Sequence, residues 1–133
     1  MRTLAPLVPA SVHGMLCDVT IAAPEGLEGV AAIADHAGCR LETASEATAA
    51  VRAACRASRR EHLLLLVAGW ALAPGFHHEL DGWLRAGAHY CLIREESPGL
   101  IGRLLPNRAP LAALTAKRRE LVDIAGDLAN GPA

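Results

Sequence analysis

His62-Leu-Leu-Leu-Leu-Val-Ala68, closed by Gly69, is the stretch that decides the fold class. From Leu63 to Ala68 the run has no polar side chain, as in a short strand buried on both faces. It is far shorter than the ~20 apolar residues of a membrane-spanning helix. On its N-terminal side, Asp18-Val-Thr-Ile-Ala-Ala23 is a second strand, bounded by Pro24 and Gly26. Cys39-Arg-Leu-Glu-Thr43 is a shorter third, and His89-Tyr-Cys-Leu-Ile-Arg94 alternates enough to lie nearer a sheet edge.

Helical patterns fill the intervals. Leu27 to Ala37 sets Val30, Ile33, Ala34 and Ala37 on one face and stops at Gly38. Glu42 to Ala57 contains Thr43-Ala-Ser-Glu46, which fits a capping box, and carries an apolar stripe of Ala47, Val51, Ala54 and Cys55. Pro74 to Ala86 opens on a proline suited to a first turn, points Phe76, Leu80, Trp83 and Leu84 at the core, and ends at Gly87. Alternating strands and helices predict an α/β fold: a three-layer, Rossmann-like arrangement with a mostly parallel sheet flanked by helices. Asp18–Ala23 and Leu63–Ala68 are expected as its inner neighbours. Past Glu95, Ser97-Pro-Gly99 and Pro106 to Pro110 read as loops. A last helix is expected from Ala109 to Leu128, with Leu111, Leu114, Leu121, Ala125 and Leu128 on one stripe. The division is then an α/β domain over 1–105 and a C-terminal helical segment over 106–133.

Composition bounds the function. At 133 residues, 52% hydrophobic and 20% charged, the chain can bury a core and is not a disordered segment. A net charge of −1 gives no electrostatic case for nucleic acid. Four aromatic residues, Trp70, Phe76, Trp83 and Tyr90, do not make a stacking platform for bases. Cys17, Cys39, Cys55 and Cys91 form no C-x-x-C pair, so they read as small core residues, not as zinc ligands. With no continuous signal-peptide core and no transmembrane segment, the expectation is a cytoplasmic protein with reduced thiols.

Few residues carry obvious chemistry. His77 and Asp81 share a helix face, a spacing that suits a metal or a catalytic pair, but two groups do not make a site. With His78 and Glu79 beside them they read as a solvated cluster, and the role of His77 and His78 stays open. No serine lies in a nucleophile elbow. Gly26 and Gly29 fall in a strand-to-helix loop where backbone N–H groups can meet a phosphate, yet Glu25 and Glu28 put negative charge there.

One register brings in a family. Asp18-Val-Thr-Ile-Ala-Ala-Pro-Glu-Gly-Leu-Glu-Gly-Val-Ala-Ala-Ile-Ala-Asp-His-Ala-Gly38 resembles, without gaps, the family 2 glycosyltransferase stretch of strand, D-G-G-S-x-D-x-T and I-A-x-x-A-G. Leu63-Leu-Leu-Leu-Val-Ala-Gly-Trp-Ala-Leu-Ala-Pro-Gly-Phe76 is similar to that family's L-L-F-L-H-A-D-T-x-L-x-P-G-W. The likeness covers residues 4 to 94 and implies part of a GT-A fold, the nucleotide-diphospho-sugar transferase architecture. The donor-site positions it implies are Ala23, Glu25, Glu28, Ala68 and Gly69. The family's nucleotide-binding aspartate falls at Ala23, its second acidic position at Glu28, its metal-binding aspartate at Gly69 and the neighbouring histidine at Val67. Leu4 to Met15 then corresponds to the helix after the family's first strand, which leaves an open sheet edge. The expectation is a degenerate, non-catalytic domain that needs no cofactor, with a homodimer or protein partner at that edge. One alternative is an active transferase with an altered donor site, using a nucleotide sugar and a divalent cation such as manganese or magnesium. Another is an unrelated α/β binding or regulatory module, similar in outline to a receiver domain but without its acidic cluster.

Overall fold

The computed structural model describes residues 3–87, 90–94 and 111–129. Helix α1 (Leu7–Val12) leads into β1 (Thr20–Pro24), α2 (Val30–Ala37), β2 (Arg40–Ala44) and α3 (Ala47–Ala57). Then come β3 (His62–Leu66), α4 (Phe76–Arg85), β4 (Tyr90–Arg94), β5 (Leu111–Lys117) and α5 (Arg118–Ala129). The fold is mixed α/β. The expected loops at 97–99 and 106–110, and His89, lie outside the described residues. No described helix is long and apolar enough to cross a membrane.

The strands form two small sheets. β1 and β2 pair in parallel from Thr20↔Arg40 to Pro24↔Ala44, joined by the α2 crossover. The other sheet runs β3-β5-β4, with β5 antiparallel to both neighbours. Among the described residues, only the first pair is therefore parallel. Among the described residues β4 is at an edge, as its alternation suggests, whereas β3 pairs only with β5 and is not hydrogen-bonded to β1.

The termination of α2 follows directly from Gly38, whose φ of +65° suits the left-handed turn after a helix. The Cys39 N–H donates to Ala34 O at 2.8 Å and the Gly38 N–H to Asp35 O at 3.1 Å, the paired bonds of a Schellman motif. At α3 the expected capping box does not form. Thr43 and Ala44 are held in the ladder opposite Ala23 and Pro24, so the helix starts after an extended Glu46 with no side-chain cap.

The largest correction concerns the C-terminal helix. Residues 111–117 are a strand, and the helix begins only at Arg118. Leu-Ala-Ala-Leu-Thr-Ala fits either period, and tertiary pairing decides between them. As a strand, β5 satisfies backbone groups of both β3 and β4, and the Thr115 hydroxyl donates to Leu63 O at 3.0 Å. The Arg118 N–H donates to Glu61 O at 2.7 Å and its Nη1 to Ser58 O at 2.6 Å, fixing the strand-to-helix corner onto the α3–β3 loop.

Two apolar clusters cover opposite faces of this sheet. Ala113, Leu64 and Leu66 pack with Leu7 and Ala10 of α1, Leu72, and Phe76 and Leu80 of α4. Leu114, Ala116 and Leu63 pack with Val51 and Cys55 of α3 and with Leu121 and Val122 of α5. The alternation along β3 and β5 is that of strands covered on both faces, which accounts for the unbroken apolar run after His62. Several expected core residues are instead exposed: Trp83 and Ile33, the stripe alanines Ala37 and Ala47, and Cys17. On α4 the buried positions are Phe76, His77 and Leu80, so the inward face is turned toward His77 and away from Trp83.

Candidate functional site

The resemblance places its donor-site positions on two separate segments. Ala23 is the buried fourth residue of β1, opposite Thr43. After it the chain turns outward. The Glu25 N–H donates to Ala44 O at 2.8 Å, while the side chains of Glu25 and Glu28 are exposed. Gly26 and Gly29 both have φ of +79°, a conformation that glycine adopts without strain. Gly29 immediately precedes α2, so the loop does deliver a helix N-terminus.

Ala68 and Gly69 follow β3, in the other sheet, and both are exposed. The Gly69 N–H donates to Thr3 Oγ1 at 2.9 Å, and its φ is +96°. No hydrogen bond or ion pair among the described residues joins this corner to the Glu25–Glu28 loop. The residues do not fit the family's cation. Ala23, Ala68 and Gly69 have no donor atom on their side chains, and Val67 stands where an imidazole would. Both key positions also resist a restored carboxylate. An aspartate at 23 would bury a charge, and at 69 it would strain the backbone, although a Cβ there meets no atom within 4 Å.

A second constellation is not legible as such in the sequence. His13 caps the end of α1, and His77 and His78 open α4. Their ring centroids lie 5.1 Å apart for His13–His77, 6.2 Å for His13–His78 and 4.1 Å for His77–His78. The His13 Nδ1–H donates to Pro9 O at 2.7 Å. His77 is buried at 8% exposure, and neither ring nitrogen has a hydrogen-bond partner among the described residues. Burial, then the neighbouring His78 and His13, hold its pKa below the ordinary imidazole value. His77 is thus not part of the solvated cluster expected around it, and it makes no pair with Asp81, which bonds Arg85 at 2.8 Å. The signal available in the sequence is the His77-His78 doublet itself. Its third member, His13, is remote in the chain and joins it only through the packing of α1 on the same core as α4.

A shallow groove of about 460 Å³ between α3 and α5 is lined by Arg56, Arg118, Arg119, Val122 and Asp123. Arg118 is already committed to Ser58 O, and Asp123 offsets part of the remaining charge. Compared with protein-family models, with characterised proteins and with solved structures, the chain has no significant match.

Proposed function

We propose that this chain is a degenerate family 2 glycosyltransferase-like domain that acts by binding, not by sugar transfer. The observation that carries the reading is the pair Ala23 and Gly69. At the two positions where the resemblance asks for a nucleotide-binding and a metal-binding carboxylate, there is a buried methyl group and a glycine at φ +96°. A sugar-donor diphosphate carries about two negative charges, and unit charges ~4 Å apart interact by about 4 kcal/mol at intermediate dielectric. Glu25 and Glu28 add to that repulsion instead of offsetting it.

The three-layer, Rossmann-like arrangement belongs to the same proposal. Its support is the parallel β1–α2–β2 unit and the helices on both faces of the β3-β5-β4 sheet. Among the described residues, β1 pairs only with β2 and β3 only with β5, so each has one unpaired strand edge. An extended segment, from a second copy or from another protein, is the partner such edges accept.

Calorimetric titration with a panel of nucleotides and nucleotide sugars, with and without manganese, tests the reading. No manganese-dependent affinity is expected. Micromolar, manganese-dependent binding of a nucleotide sugar would overturn it in favour of an active transferase with an altered donor site. Sedimentation across a wide concentration range tests the edge: self-association is expected, and a monomer at every concentration removes the homodimer.

A further inference from the structure

We propose that the groove between α3 and α5 binds a ligand carrying two or more phosphate groups, with arginine and not a metal ion meeting the negative charge. The groove shares no residue with the donor-site positions, so the site does not rest on the proposed function.

The charge of the chain is segregated. Residues 52–61 and 117–123 hold seven of the 13 basic residues and three of the 14 acidic ones. That is +4 on a chain of net charge −1, so the remaining residues carry −5. The overall balance conceals a local field of one sign. The fold brings the two segments together, because the Arg118 N–H bonds Glu61 O and its Nη1 bonds Ser58 O, drawing the start of α5 against the end of α3. Arg56, Arg59, Arg60 and Arg119 are all exposed, and none makes an ion pair among the described residues. Like charges gathered in this way repel one another, and a bound anion relieves that repulsion.

The groove gives this charge a shape. Arg56 comes from α3, and Arg118 and Arg119 come from the first turn of α5. The bond to Ser58 O takes one of the five N–H donors of the Arg118 guanidinium and holds the others in place. Guanidinium forks match phosphate oxygens two at a time. At about 460 Å³ the groove is several times larger than one phosphate group and within the range of small-molecule sites. Asp123 also lines it and opposes any anion, so a ligand with several negative charges gains more from the arginines than a single phosphate does. None of the described lining residues is aromatic or carries a hydroxyl or carboxamide, so the groove reads phosphate groups and not a base.

The test titrates the full chain with pyrophosphate by calorimetry, in low-salt buffer containing EDTA. One ligand per chain is expected, with micromolar affinity, at least tenfold tighter than inorganic phosphate and at least tenfold weaker at about 0.5 M salt. Arg56→Gln and Arg119→Gln should each weaken binding at least fivefold, and Asp123→Asn should tighten it. Arg85→Gln should leave it unchanged, since Arg85 lies on α4 and pairs with Asp81. Arg118 is kept, because its bonds close the corner between α3 and α5. Adenosine diphosphate and inositol bisphosphate are titrated beside pyrophosphate, and the tighter of the two identifies a nucleotide or a lipid headgroup as the source of the phosphates. No pyrophosphate binding at low salt, equal affinity for inorganic phosphate, or unchanged affinity in both groove variants overturns the site. A single-stranded oligonucleotide that binds at least tenfold more tightly than pyrophosphate, and is weakened by the same variants, overturns it in favour of nucleic acid. Manganese-dependent affinity for a nucleotide sugar would count against the donor-site reading and not against this metal-free site.

Discussion

Ala116→Leu separates the strand at 111–117 from the helix that apolar periodicity suggests there. Ala116 is 2% exposed and shares a cluster with Cys55, Leu114 and Leu121. On a helix with Leu114 and Leu121 in its buried stripe, residue 116 would sit about 200° and 140° away from them, at about 100° per residue. That is the solvent side, where Ala→Leu changes stability by only a few tenths of a kcal/mol. On the strand, three added carbons must enter a space closed by α3 and α5, and overpacking of that kind costs about 1–3 kcal/mol. For 133 residues, an unfolding entropy of about 2.1 cal/mol/K per residue gives roughly 0.28 kcal/mol/K, so a loss of 2 kcal/mol lowers Tm by about 7 °C. Thermal unfolding followed by circular dichroism resolves a shift of that size. Leu121→Ala alone should cost about 2–5 kcal/mol, and the double variant less than the sum by at least ~0.5 kcal/mol, because the new leucine fills part of the cavity. An Ala116→Leu protein within ~0.5 kcal/mol of the parent would refute the strand and restore the helix.

Three further outcomes are expected. Arg118→Ala removes the Nη1 bond to Ser58 O and should cost about 1–2 kcal/mol in urea unfolding, whereas exposed Arg119→Ala should stay within ~0.5 kcal/mol. Gly38→Ala forces a Cβ into φ +65° at the end of α2 and should cost about 1 kcal/mol, read from the shift in the denaturant midpoint. Burial raises the Cys55 thiol above the ordinary thiol range, so native-state alkylation read by peptide mass should label exposed Cys17 before Cys55. For the same reason the unfolded chain loses the Cys55 proton at lower pH than the folded one. Cys55 therefore leaves stability unchanged below pH ~9 and reduces it as pH rises from there toward the raised native value, a trend that Cys55→Ala should remove.

The part of the fold legible in the sequence is the part governed by local rules. Gly38 ends α2 because only a left-handed residue closes that turn, and that signal is local. The apolar run after His62 marks a strand with cover on both faces, which the two clusters provide. Where a segment satisfies two periods at once, pattern alone points the wrong way. Leu111 to Ala116 is compatible with a helix stripe and with a strand, and the deciding fact is the unpaired backbone of β3 and β4, which no window of sequence contains. The capping box at Thr43 fails for a related reason: Thr43 is already taken by β1. At the candidate sites the limits are similar. Ala23 and Gly69 can be placed by register alone, but that 69 has a left-handed backbone, and so cannot easily take back an aspartate, is a tertiary fact.

The two sheets meet under a weak element. α1 has six residues, too few for a helix to persist in water without tertiary support. Its buried attachments are Leu7 and Ala10, which join Phe76 and Leu80 of α4 and Leu64 and Leu66 of β3 in one cluster, with Val19 ahead of β1 packed against it. α1 thus sits where the β1–β2 pair and the β3-β5-β4 sheet share cover but not backbone hydrogen bonds. On the opposite side, α3 packs on β1 and β2 and also on α5, so that seam is tied by longer helices. A strand added along β1 or β3 would supply backbone hydrogen bonds that the fold does not make between its two sheets among the described residues. Such a partner binds the native state and not the unfolded chain, so it adds to the stability of the fold in proportion to that preference.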